Sequence, residues 1–256
     1  MEYTIEDETE NDLKINKVGM NCDDDLIDNL HPALINRNHI ANFCGKSGSG
    51  KTNLLINLLN KNRKNGIRQG YKKVFHDIII VSPSLRSFND SIFDDISDEK
   101  KFDELNIDTL EFIDVFTQAN TEEKKNTLVI FDDVGSSLKN GENERLLGLL
   151  TQKFRHIRTT FWFLTQKYRD LPTKLRANLS AIFIFRPVSL KELDSIYEEL
   201  LGFNKKYLKS FIDFVFDKKF NFLYINLSLL TSPTLIYHKN FKKILITNKN
   251  EKESFI

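Results

Sequence analysis

Residues 45–52 read "GKSGSGKT", between a short apolar run, "HIANFC" (39–44), and a stretch with Leu54, Leu55, Leu58 and Leu59 at helical spacing. Strand, glycine-rich turn and helix in that order match the phosphate-loop pattern G-x-x-x-x-G-K-[S/T]. The residue types follow from what the loop does. Glycines let backbone N–H groups curl around phosphate oxygens without a Cβ in the way. The start of the next helix adds partial positive charge. Lys51 supplies a mobile cation to the β and γ phosphates, and Thr52 offers a hydroxyl to Mg²⁺. Gly45, Lys46, Ser47, Gly48, Ser49, Gly50, Lys51 and Thr52 are thus the expected nucleotide contacts, with ATP and Mg²⁺ the expected ligands.

Such a loop needs a carboxylate on the metal side. "NTLVIFDDVG" (126–135) is an apolar strand that ends in Asp132 and Asp133. The C-terminal edge of a parallel sheet is where open α/β folds place ligands. Asp132 is expected to hold Mg²⁺, through water, and Asp133 to orient or deprotonate an attacking water. Many hydrolytic proteins of this class carry Glu at the second position; Asp is one methylene shorter.

Further apolar runs of strand length are "DIIIVSP" (77–83), "TTFWFLTQ" (159–166) and "AIFIFRP" (181–187). Unbroken apolar runs suit strands covered on both faces. "ENERLLGLLTQKFRH" and "SLKELDSIYEELLGF" have helical periodicity, the latter opening on an N-cap serine. "LEFIDVF" (110–116) reads as a minor strand or a helix end. "KFNFLYINLS" and "TSPTLIYHK" read as late strands, joined as a hairpin near Ser232–Pro233. Strands alternating with helices predict an α/β fold with a mostly parallel sheet flanked by helices.

Charge divides the chain. Residues 1–30 hold ten Asp/Glu against two Lys, and the remainder carries a net +9. The expected organisation is an acidic flexible segment (1–30), a P-loop domain (31–240) and a polar basic tail (241–256). A basic body with an acidic tail suits a polyanionic partner. Residues 61–73 contain six Lys/Arg and no acid, and residues 151–176 contain seven against Asp170 alone. Either run has the composition to follow a phosphate backbone, although such runs are also ordinary solvated faces. The segment 135–144, "GSSLKNGENE", reads as a flexible polar loop carrying Lys139. No apolar run approaches the ~18 residues of a membrane span. Cys22 and Cys44 lack metal-site spacing and exclude a disulfide framework.

"FRHIRTTFWFLTQKYRDLPTKLRAN" followed by "AIFIFRP" resembles the motor core of the FtsK/HerA superfamily, and more closely the genome-packaging ATPases of poxviruses, other large DNA viruses and virophages. The "HP" before the first strand, "GKSGSGKT", "FDDVG" and "LTQKYRDLP…LRAN" all fit that branch, from about His31 to about Lys239. The Asp–Asp pair is similar to the same branch.

The resemblance implies an additional-strand, RecA-like (ASCE) core. If "TTFWFLTQ" is the extra strand, Gln166 emerges between Lys51 and Asp133, placed to sense the γ-phosphate or the attacking water. The resemblance also implies that Arg155 is a trans arginine finger, and so a homo-oligomeric ring. Arg158, Arg169, Arg176 and Arg186 are weaker candidates, and Arg155 also reads as an ordinary cation at a helix end. The implied function is an ATP-hydrolysing translocase that packages double-stranded DNA, without sequence preference, into a viral capsid. A capsid or portal-vertex protein is the implied partner, and host cytoplasm or virion the implied location. Other readings are a chromosome-partition translocase, a nucleotide kinase, a non-hydrolysing scaffold, and a GTPase switch resting on "DDVG" and "NKNE" (248–251).

Overall fold

The computed structural model describes residues 27–85, 91–229 and 236–245. In chain order the elements are β1 (Ile40–Cys44), α1 (Lys51–Asn60), β2 (Arg63–Lys64), β3 (Ile67–Arg68), β4 (Asp77–Val81), α2 (Ser91–Asp94), β5 (Lys101–Phe102), α3 (Ile107–Glu122), β6 (Thr127–Asp132), α4 (Gly141–Gln152), β7 (Thr159–Thr165), α5 (Thr173–Ala177), β8 (Ala181–Phe185), α6 (Leu190–Leu200), α7 (Leu208–Val215), β9 (Phe222–Asn226), β10 (Ile236–Lys239) and β11 (Lys242–Lys243).

Among the described residues, nine strands form one sheet in the order β11-β10-β9-β8-β1-β7-β6-β4-β5. From β8 to β5 every pairing is parallel. The late strands β9, β10 and β11 pair antiparallel at one side. The mostly parallel α/β sheet expected from the sequence is therefore present, with an antiparallel extension. β7 lies between β1 and β6, which is the position of the extra strand.

The central strands alternate their side chains between two cores. Val129, Phe131, Phe161, Phe163, Ile182 and Ile184 face one core, with Ile113 of α3, Leu147 of α4 and Ile196 of α6. Leu128, Ile130, Trp162, Leu164, Ala181 and Phe183 face the other, with Leu54, Leu55, Leu58 and Leu59 of α1. Helices on both faces explain why these strands read as unbroken apolar runs. At roughly 25 cal/mol per Å² of apolar area, rings the size of Trp162 and Phe163 make β7 a major contributor to stability.

Several local expectations change. "LEFIDVF" lies wholly inside α3, which starts where Asn106 accepts a hydrogen bond from the Thr109 N–H. Segment 135–144 is not a flexible loop. It holds a short 3₁₀ turn at Ser137–Lys139 and then enters α4. Leu138 is buried, and Asn143 reaches the carbonyls of Leu105 and Ser137. Within the run 61–73, residues 63–68 form a small hairpin, with Asn65 and Gly66 left-handed at its turn. It lies beyond the C-terminus of α1, at the sheet edge away from the phosphate loop. The run 151–176 is no single basic track, because buried β7 divides it between opposite edges. Ile27 and Leu30 bond to the body, and β11 pairs with β10. The acidic residues 1–26, Ser232–Pro233 and "NKNE" lie outside the described residues.

Candidate active site

Strand register assembles the site. Cys44 pairs with Thr165, and Asp132 with Leu164. The residues just beyond these pairs, Gly45, Asp133 and Gln166, therefore emerge side by side at the C-terminal edge. Two backbone bonds continue the ladder there: the Gly45 N–H donates to Thr165 O (3.0 Å), and the Asp133 N–H to Leu164 O (3.3 Å).

The loop 45–52 turns sharply, with Gly48 and Gly50 at φ of 73° and 107°, values that favour glycine. Gly50 opens α1 without a side-chain cap. The first-turn N–H groups are thus left to an outside acceptor. The Ser49 hydroxyl is buried without a hydrogen-bond partner among the described residues. The Lys51 ammonium donates to Gly45 O (2.6 Å) and Lys46 O (3.3 Å). Burial pulls this ammonium below its ordinary range, against the carboxylates of Asp132 and Asp133, which favour the charged form.

Opposite the loop, Asp132 is 8% exposed and accepts from the Ser82 hydroxyl (3.2 Å). Burial raises its carboxyl above the usual range, opposed by the Ser82 bond and Lys51, while Asp133 adds to the rise. A divalent cation would oppose that rise and hold Asp132 ionised. Asp133 is exposed and adopts a left-handed backbone, φ 55°. Asp is among the few non-glycine residues that tolerate this region, which accounts for Asp where Glu was the commoner expectation. The Gln166 amide donates to the Asp133 carboxylate at 2.8 Å.

Ser47, Gly48, Gly50, Lys51, Thr52, Asp132, Asp133 and Gln166 line one cleft of about 370 Å³. Asn53 and Ser84 also line it, and sequence reasoning missed both. It missed Ser82 too. Ser82 and Ser84 flank Pro83 at the end of β4. Their proximity to Asp132 follows from β4 pairing with β6, which a single strand does not announce. A fourth omission is Glu192 in the first turn of α6. Its buried carboxylate accepts from the Tyr168 N–H (3.2 Å) and contacts the Cys44 thiol (3.5 Å), joining the segment after Gln166 to the root of the phosphate loop.

The arginines are dispersed. Arg155 lies four residues before β7, at the opposite sheet edge. A seven-residue strand at about 3.3 Å per residue separates it from Gln166 by roughly 20 Å. Its exposed guanidinium lies over the Phe154 ring at 5.3 Å. Arg176 is held by Glu199 in a two-point ion pair (3.0 and 3.1 Å) and by Leu171 O, so it braces its own chain. Arg169 is exposed in the 3₁₀ turn Tyr168–Asp170 that follows Gln166. Arg186 follows β8 and reaches Phe216 O.

The family described as "Poxvirus A32 protein" matches residues 31–250. The chain belongs to the poxvirus A32 family. Comparison with curated proteins finds no match. Among solved structures, the chain resembles the genome packaging NTPase B204 of Sulfolobus turreted icosahedral virus 2 in complex with AMP: 19% identity, 79% of this chain, 97% of that chain, TM-score 0.56. It also resembles B204, the DNA-packaging ATPase of Sulfolobus Turreted Icosahedral Virus: 20% identity, 80% of this chain, 98% of that chain, TM-score 0.56. At such identities the likeness speaks for the fold. The resemblance to genome-packaging ATPases is borne out by the family match, and with it the enzyme class of a P-loop ATPase.

Proposed function

We propose that this A32-family ATPase couples ATP hydrolysis to moving double-stranded DNA into a viral capsid, working as a ring of identical subunits. The Gln166–Asp133 hydrogen bond beside the phosphate loop is the observation that best supports a hydrolytic motor. A loop that only gripped nucleotide would not need a carboxylate and an amide aligned at the γ-phosphate position.

The residues divide the work as follows. First-turn N–H groups of α1, the buried Ser49 hydroxyl and Lys51 bind the phosphates. Thr52 and Asp132 would hold Mg²⁺, which supplies charge neutralisation at the transferred phosphoryl. Among the described residues no group of three or more His, Cys, Asp and Glu forms a metal cage. Mg²⁺ requires none, since it typically takes one or two carboxylates plus substrate phosphates. Asp133 orients the attacking water and accepts its proton, and Gln166 fixes the Asp133 carboxylate while reading the phosphate. Arg155, remote from its own cleft, serves the cleft of a neighbouring subunit.

Candidate DNA contacts are the basic hairpin around Arg63 and Arg68 and the exposed Lys139 on the 3₁₀ turn after the carboxylates. Phosphate contacts without base readers suit a motor indifferent to sequence. Steady-state hydrolysis with and without duplex DNA tests the proposal. Stimulation by duplexes of unrelated sequence is expected. Its absence, in a preparation shown to be oligomeric, would sink the translocase reading.

A further inference from the structure

A nucleotide whose γ-phosphate met Asp133 and Gln166, on the β7–β6 side of the loop, would send its ribose and base the other way, towards β8 and β9. On that side an aromatic ring stands where folding alone gives it little reason to be.

Phe220 is 56% exposed and has φ 70°. A large residue in left-handed backbone is an outlier, and such strain tends to collect at functional positions. Its Cδ1 would lie only 3.4 Å from a Cβ at Gly50, and so does Cε1 of buried Phe185. The Phe220 ring thus borders the last glycine of the phosphate loop. The Lys219 ammonium sits 4.8 Å from the ring centroid, yet the ring remains largely open.

The turn carrying Phe220 is braced on all sides. Asn221 N–H closes the turn onto Lys218 O (3.2 Å), and the Asn221 amide donates to Asp217 (2.7 Å). Lys239 pairs with Asp217 at 2.7 Å. The Asn240 amide donates to Asn221 (3.1 Å) and Arg186 to Phe216 O (3.5 Å). These contacts fix the turn from which the exposed ring projects beside the phosphate loop.

We propose that Phe220 is the stacking platform for the purine base of the bound nucleotide. This rests on the ATPase reading and adds where the base sits. Stacking on an aromatic ring is worth enough for removal to weaken binding about tenfold.

Binding of ATP and of inorganic tripolyphosphate, both with Mg²⁺, separates base from phosphate. Phe220→Ala is expected to weaken ATP about tenfold and leave tripolyphosphate unchanged. Phe220→Trp is expected to keep ATP affinity and to lose fluorescence on adding ATP but not tripolyphosphate. Phe220→Ala with wild-type affinity for ATP, or with equal loss for both ligands, would overturn the platform. A wild-type protein that bound neither ligand would overturn the nucleotide reading beneath it.

Discussion

The two ends of β7 present polar side chains in contrasting states. At the C-terminal end, Gln166 is bonded to Asp133 beside the phosphate loop. At the N-terminal end, Arg155 lies across a neighbouring ring and contacts no carboxylate among the described residues. The neighbouring cation Lys153 is already paired with Asp114 at 2.6 Å. One end is a completed arrangement within a single chain. The other offers a charge that its own cleft cannot use.

The sharpest way to break this contrast is Arg155→Ala. Nucleotide affinity should survive, while hydrolysis by the assembled ring falls by about 10³-fold, the scale of an arginine finger. Mixing Arg155→Ala with Lys51→Ala subunits, each inactive alone, should restore part of the rate, because the second subunit lends its arginine to the first subunit's intact loop. No loss in the single variant would transfer the role to another cation, with exposed Arg169 in the turn after Gln166 first in line.

Asp133→Asn probes the completed end. Asn also tolerates the left-handed backbone, so the fold should be retained while the proton acceptor is lost. A fall in kcat of about 10²-fold or more is expected, with nucleotide binding near normal. An unchanged kcat would remove Asp133 from the chemistry and leave Gln166 without its purpose.

The smallest effect concerns the joint between β7 and β1. The Trp162 indole donates to His39 Nε2 (3.0 Å), and Nδ1 of the same ring contacts Arg37 O (2.8 Å). Burial holds His39 down at about 4, from an ordinary 6.5, although the Arg37 carbonyl favours the proton. The unfolded chain therefore binds a proton more readily than the folded one between those values. Stability should be flat above pH 6.5 and decline as the pH falls towards 4, by about 3 kcal/mol in all. Denaturant titrations followed by Trp162 emission would show it, and a pH-independent midpoint across that range would refute it.

The central strands were legible because each is covered on both faces, so that burial alone writes the pattern. Phe161 and Phe163 point one way, Trp162 and Leu164 the other, and no polar face interrupts the run. The phosphate loop and Asp132–Asp133 were legible because their chemistry is local in sequence. "LEFIDVF" misled because a short apolar cluster on an amphipathic helix resembles a strand until its Asn106 cap is considered. The antiparallel pairing of β9 with β10 follows from the expected hairpin, whereas that of β9 with β8 depends on how the chain returns, which composition does not encode. Ser82, Glu192 and Phe220 matter through neighbours distant in sequence, so only the assembled sheet reveals them. Arg155 was legible as a residue but not as a location, since its edge depends on where β7 begins.

Cys44 has a consequence of another kind. It ends β1, one residue before the phosphate loop, and its thiol is buried against Glu192. Burial first, and then the nearby carboxylate, push that thiol well above its ordinary range. Alkylation, peroxide attack and disulfide exchange all proceed through the thiolate. The sulfur at the root of the nucleotide loop is therefore chemically silent, and oxidants or thiol reagents in the surroundings have no handle on the loop through it.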